Sequence, residues 1–173
     1  MYDLLTTNLR IREFQLSDLD ILLKIYNNAI NMQYIPHARS IWSRHDLENK
    51  FRSHSVHYPK GYGLFVIEEL STRQLIGEAG LFNTMNDECV LELGYILDHH
   101  FWGKGYGTEV CRALINHSFY QLNVKQVIAR MYKANKASAR LAEKCGMHLD
   151  LIEANGEGNC VLQYIITNVR REH

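Results

Sequence analysis

The chain has 173 residues, enough for a single domain, expected over residues 1–173, that buries roughly two-thirds or more of its unfolded surface. Nineteen Lys/Arg residues balance nineteen Asp/Glu residues, which excludes a strong global field for nucleic acid or an anionic membrane. Cys89, Cys111, Cys145 and Cys160 form no C-x-x-C pair and read as small core side chains. No apolar run approaches the ~18 residues of a membrane span, and Met1–Arg12 lacks a leader pattern, so a soluble, cytoplasmic protein is expected.

Leu9–Arg12 alternates apolar and polar residues as a half-buried strand does. Ser17 then stands where a helix N-cap would, and Leu19, Leu22, Leu23 and Tyr26 fall at the spacing of a buried helical face, with the pattern fading near Met32 and broken at Pro36. Ser43 with Asp46 signals a second helix, with Leu47 and Phe51 on its apolar side. After the loop at His57–Gly61, two apolar segments, Tyr62–Leu70 and Gln74–Phe82, predict antiparallel strands. A strand at Val90–Leu97 leads into the turn at Gly103, Gly105 and Gly107, and a helix from about Gly105 to Leu122 follows. A strand over Gln126–Tyr132 precedes a helix from Lys136 to Cys145 that Gly146 ends. Leu149–Ile152, a turn at Asn155–Asn159 and Val161–Thr167 form a closing hairpin. This order demands a mixed sheet, with antiparallel strands flanking crossover units.

The alternate glycines let backbone N–H groups approach an anion at the positive end of a helix. A P-loop needs Ser or Thr after Gly-Lys, whereas Gly103-Lys104 is followed by Gly105. A dinucleotide fingerprint needs an acid at the end of the next strand, but Tyr132 is followed by Lys133-Ala134-Asn135-Lys136. Phe101-Trp102-Gly103-Lys104-Gly105-Tyr106-Gly107-Thr108-Glu109 instead resembles the acyl-CoA signature of the GNAT superfamily of N-acetyltransferases, Q/R-x-x-G-x-G/A, with Trp102 at the usual Gln or Arg. The variant is similar to the branch of the RimJ/RimL enzymes, which acetylate protein N-termini. Asn135-Lys136-Ala137-Ser138 leading to Glu143-Lys144-Cys145-Gly146-Met147 is similar to that family's Asn-x-x-Ser…Glu-Lys-x-Gly-Phe helix, with Met147 in place of Phe. The resemblance runs from about Leu9 to Thr167. It implies an α/β fold with a central, mixed, mostly antiparallel sheet of about seven strands flanked by four helices, and acetyl-CoA as cofactor without a metal.

The resemblance puts the pyrophosphate on backbone amides of Gly103, Lys104, Gly105, Tyr106, Gly107 and Thr108; the bland alternative is an ordinary strand-to-helix turn. Lys104 either adds a point charge or is a solvated surface lysine, and Trp102 either packs on cofactor or covers the end of the sheet. Asn135 and Ser138 match positions that contact the pantetheine end, although Asn135 is also suited to cap its helix. Gly94 marks a candidate bulge, which would free a backbone N–H near Tyr95, Ile96 or Leu97 to polarise a thioester carbonyl. Adjacent His99 and His100 read as loop residues and not as metal ligands.

Glu92 shares a strand face with Val90, Gly94 and Ile96, so it is expected against an apolar surface where burial would make it a better general base. The alternative is a partly exposed strand Glu paired with a basic neighbour; Glu78 ranks behind it. Many superfamily members carry a Tyr on the later helix to protonate the leaving thiolate, but Ala142 stands at that position, leaving Ser138 as the available hydroxyl.

The expected reaction is acetyl transfer from acetyl-CoA to a primary amine by direct attack in a ternary complex, catalysed by a monomer or homodimer. Between Pro36 and Lys60, five Lys/Arg and four His residues face only Asp46 and Glu48, which favours a peptide N-terminus or small neutral amine over a polyamine. A non-catalytic acyl-CoA sensor and a nucleotide-binding module are the alternatives.

Overall fold

In the computed structural model, which describes residues 3–35, 41–154 and 158–169, the chain opens with two short antiparallel strands, β1 (Asp3–Leu5) and β2 (Leu9–Arg12). Leu9 and Ile11 are fully buried, as the alternation predicts. Strands β3 (Gly63–Glu69), β4 (Leu75–Phe82) and β5 (Val90–Leu97) continue as an antiparallel meander, followed by β6 (Gln126–Tyr132), β7 (His148–Ala154) and β8 (Cys160–Thr167). All eight join one sheet in the order β1-β2-β3-β4-β5-β6-β8-β7. Among the described residues, the β5–β6 contact is the parallel one; every other pairing is antiparallel.

The helices are α1 (Leu19–Tyr26), α2 (Ala29–Met32), α3 (Arg44–Ser55), α4 (Tyr106–Tyr120) and α5 (Lys136–Lys144). Two differences from the expected seven strands and four helices have local causes. β1 has only three residues, too few for a periodic signal. The first helix is split because Asn28 is extended and its side chain accepts the N–H of Ile30, starting α2 afresh. The cap of α1 is also not Ser17: that residue lies inside a short 3₁₀ turn, and Asp18 stands at the N-cap. The Asp18 carboxylate accepts the N–H of Gln15 at 2.8 Å and pairs with Arg12 at 2.9 Å. Ser43 and Asp46 form the expected capping box of α3. Pro36 and residues 155–157 of the turn expected at Asn155–Asn159 lie outside the described residues.

Each face of the sheet carries its own apolar cluster. Leu91, Leu93 and Leu97 of β5 pack with Val110 and Leu114 of α4 and Ala142 of α5. Ile96 points the other way, into a cluster with Leu22 and Ile25 of α1 and Leu47 and Phe51 of α3. The period-2 alternation of β5 thus assigns α4 and α5 to one face and α1–α3 to the opposite one. Among the described residues, no helix is long and apolar enough to cross a membrane.

Glu109, in the first turn of α4, ties that helix to the β1–β2 turn. Its carboxylate accepts from the Thr6 hydroxyl at 2.6 Å, the Asn8 N–H at 2.7 Å and the Asn8 side-chain amide at 3.0 Å. Burial works to raise its pKa, but the hydrogen bonds from Asn8 and Thr6 outweigh that and the net shift is downward. A carboxylate depressed in the folded state contributes stability above its unfolded pKa and loses it as pH falls through the folded value. Glu109→Gln is therefore expected to lower stability by about 1 kcal/mol at neutral pH, allowing for solvent screening. In urea unfolding at a series of pH values, the gap between the two proteins should close on the acid side of the carboxylate range.

Candidate functional site

β5 and β6 run side by side for only three residue pairs, ending at Glu92 opposite Ile128. Beyond that point β6 keeps its full pairing with β8, from Gln126–Thr167 to Tyr132–Val161, while β5 stays paired to β4 as far as Leu97 opposite Gly77. The sheet therefore opens between two well-held strands. Gly94 is not a bulge, as the sequence suggested: it sits in register opposite Gly80. The opening comes from the divergence of the parallel pair.

Asp98 donates its N–H to the Ile76 carbonyl, which makes that facing pair a hydrogen-bonded one. By the alternation of antiparallel pairs, Ile96 opposite Glu78 is also turned toward β4, whereas Tyr95 and Leu97 aim their N–H groups into the opening. Of the three expected donors, Ile96 is thus spent within the sheet. Backbone groups facing an opening need water or a ligand as partner.

On the α4–α5 side of the opening lies a cleft of about 380 Å³ lined by Trp102, Gly103, Gly105, Gly107, Thr108 and Asn135, among others. Gly105 is the N-cap of α4, at φ +85°, and offers no side chain to the first helical N–H groups. Those orphan donors and the helix dipole are left for an anion. Gly103 is also left-handed, at φ +78°. Gly107 serves a different purpose: a Cβ there would lie 2.6 Å from Leu141 Cδ1, so its absence lets α5 approach α4. Trp102 is 46% exposed, and its indole N–H donates to the Leu97 carbonyl at 2.9 Å, holding the ring at the end of β5. Lys104 is not part of the cleft lining; its ammonium lies 4.6 Å from the Phe101 ring centre and 5.8 Å from that of Tyr106.

The cleft adjoins a second cavity of about 390 Å³ that passes through the sheet opening. Tyr34, Ile35, Tyr95, Asn135, Ser138 and Leu141 line both. Asn135 caps α5 by accepting the Ser138 N–H at 3.1 Å, and the Ser138 hydroxyl stands 3.5 Å from the Tyr95 phenol. Burial pushes the Tyr95 pKa up to about 12, despite the hydrogen bond to Ser138. Ala142, one turn beyond Ser138, is buried in the same wall.

Glu92 and Arg130 line the second cavity from its two strands. The carboxylate is not in a dry apolar setting: its side chain is 19% exposed, accepts from the Thr84 hydroxyl at 2.7 Å and lies 3.5 Å from the Arg130 guanidinium. Glu78 is almost completely buried, hydrogen-bonded by the Tyr26 hydroxyl and 3.4 Å from the Lys50 ammonium, and lines neither cavity. That network joins α1 and α3 to β4.

Sequence reasoning missed Asn31, Tyr34, Ile35 and Arg130. Asn31 is buried; its side chain donates to the Ile25 carbonyl at 3.1 Å and accepts the His99 N–H at 2.8 Å, stapling α2 to the end of β5. Tyr34 and Ile35 follow from that staple, which no local signal announces. Among the described residues, Asp98, His99 and His100 gather possible metal-ligand atoms within 4.8 Å. His99 Nδ1 lies 3.1 Å from the Asn31 amide oxygen and His100 Nδ1 2.8 Å from Asp98, so these atoms already serve the turn that closes β5.

The family model of the acetyltransferase (GNAT) domain matches residues 8–148. The chain belongs to the GNAT family of acetyltransferases. Among curated relatives, the uncharacterized N-acetyltransferase p20 of Bacillus licheniformis is 26% identical over 100% of this chain and 99% of its own. The uncharacterized protein YkkB of Bacillus subtilis is 36% identical, but the match spans only 51% of this chain and 54% of the relative. Among solved structures, RimL, a ribosomal L7/L12 alpha-N-protein acetyltransferase in complex with coenzyme A, superposes with a TM-score of 0.83 at 19% identity, over 96% of this chain and 98% of that one. The mixed sheet and its crossover helices are therefore a GNAT fold.

The two helix-side glycines should respond differently to substitution. Gly105→Ala has open space around it but a left-handed backbone, and is expected to cost about 1–2 kcal/mol. Gly107→Ala gains about 1 kcal/mol of helix propensity and loses it to the Leu141 contact. In denaturant unfolding, adding Gly107→Ala to Leu141→Ala should therefore be more favourable than adding it to the natural chain.

Proposed function

We propose that the chain transfers an acetyl group from acetyl-CoA to a primary amine, by direct attack in a ternary complex, as a single-domain cytoplasmic enzyme of RimJ/RimL-like type. The observation that carries this reading is the sheet opening, with an anion cradle on one face, a carboxylate on the other and two backbone N–H groups between them. The residues fit the coenzyme: orphan N–H groups of the α4 terminus suit a pyrophosphate, and Asn135 has amide donors left after its oxygen caps α5. When bound, acetyl-CoA supplies an electrophilic thioester carbonyl and a thiolate leaving group.

The chain's own groups then have distinct tasks. N–H donors of Tyr95 and Leu97 would stabilise negative charge developing on a carbonyl oxygen held in the opening. Glu92 takes the proton that an ammonium must lose before its nitrogen can attack, directly or through one water. Ser138, hydrogen-bonded to a phenol that stays protonated at neutral pH, gives a hydroxyl donor near the departing sulfur. Lys104, drawn to the neighbouring rings, adds long-range charge only, and Trp102 walls the cleft.

Free thiol released from acetyl-CoA, measured across a panel of small amines, amino acids, polyamines and N-terminal peptides, tests the reaction. Release with at least one acceptor is expected; tight coenzyme binding without release from any would instead make the protein an acyl-CoA sensor. Glu92→Gln should lower turnover at neutral pH by about 10²–10⁴-fold while leaving acetyl-CoA affinity nearly intact. Unchanged turnover across the pH range would remove Glu92 as the base.

A further inference from the structure

Resting on the acetyl-transfer reading, we propose that the acceptor is a free α-amino acid, its amine presented to Glu92 and its carboxylate held by Arg130. Glu92, Arg130 and Tyr132 line the through-sheet cavity, and the alternation of β5 and β6 turns their side chains to the face opposite α4 and α5. That is the face from which an acceptor would enter, because the glycine turn and Asn135 occupy the other. Two opposite charges meet at its mouth, 3.5 Å apart. An amine carrying only positive charge would take Glu92 and leave Arg130 without a counter-ion; a zwitterion replaces both partners at once.

The surroundings favour such an exchange. Glu92 is fixed from behind by the Thr84 hydroxyl at 2.7 Å. The Arg130 side chain is 37% exposed, its Nε–H donates to Gln163 at 3.0 Å and one Nη lies 3.0 Å from the Met85 sulfur. The other Nη, which faces Glu92, is therefore the one free to turn to a carboxylate. The cavity, about 390 Å³ and shared with the thioester end, suits a small acceptor.

The chemistry balances with these groups alone. Glu92 removes one proton from the ammonium; the nitrogen lone pair forms a bond to the acetyl carbon, and the carbon–sulfur bond breaks with its electrons going to sulfur. The second nitrogen proton passes to the thiolate through Ser138 or water, and Glu92 returns its proton to solvent. The products are an N-acetyl amino acid and free coenzyme A.

The test compares L-amino acids with their C-terminal amides, with N-terminal peptides and with spermidine, by thiol release. The acids should exceed their amides in kcat/KM by about tenfold or more, mainly through KM. Arg130→Met should bring the acid-to-amide ratio near one, and Arg130→Lys should restore part of it. With coenzyme A present, acids should also raise the thermal unfolding midpoint more than amides do. Amides, peptides or spermidine used as well as or better than the acids would overturn the zwitterion proposal and leave acetyl transfer intact. A ratio unchanged by Arg130→Met would do the same. Release from no acceptor would overturn both.

Discussion

The parting of β5 from β6 is the constraint on which the rest of the structure depends. A sheet normally satisfies its own backbone, and three pairs of parallel bonds followed by an opening would be unstable if both strands were otherwise loose. Here each is anchored on its far side, β5 by β4 from Glu92 to Leu97 and β6 by β8 over seven pairs. The opening is thus bounded by rigid walls. It leaves polar backbone groups at a depth where a substrate carbonyl can meet them, and it connects the two faces of a sheet that would otherwise separate them.

The two faces use different kinds of electrostatics. On the α4–α5 side the donors at the glycine turn are neutral peptide groups and a helix dipole, arranged by Gly103 and Gly105, and Lys144 adds a positive charge to the cleft lining. On the opposite side the charges are formal and paired, Glu92 with Arg130 at the surface of the opening and Glu78 with Lys50 beneath α1 and α3. A chain with equal numbers of acidic and basic residues can therefore present a local anion-binding turn without a global positive field. Local geometry substitutes for net charge.

This division also explains what the sequence disclosed. The face that carries the glycine turn is built from contiguous motifs, Trp102–Thr108 and Asn135–Met147, whose glycines and caps act within a few residues and so leave a readable pattern. The strand and helix periods were legible for the same reason, down to the capping box of Ser43 and the end of α5 at Gly146. The face that carries Glu92 and Arg130 is assembled from four distant places: α2, the β4–β5 turn, β5 and β6. Arg130 carries no local signal of its own, because its partner Glu92 lies on another strand, 38 positions earlier. Asn31 is equally silent in the sequence, because its amide bridges Ile25 and the distant His99. The split at Asn28 and the shift of the cap from Ser17 to Asp18 are equally local: Asn28 takes the Ile30 N–H and starts a new helix, and the Asp18 carboxylate turns back to Gln15 and Arg12.

The absence of a tyrosine at Ala142 has a structural counterpart. Ser138 lies one turn earlier on the same helix, and the phenol that meets its hydroxyl comes from Tyr95 on the facing strand. A phenol whose pKa is about 12 cannot readily give its proton to a thiolate, whose conjugate acid titrates near ~8.5 in simple thiols. It can remain a hydrogen-bond donor at neutral pH. Ala142 itself offers no proton, and the hydroxyl hydrogens of its neighbours Ser138 and Tyr95 are held in place by the partial burial of Tyr95 against α5.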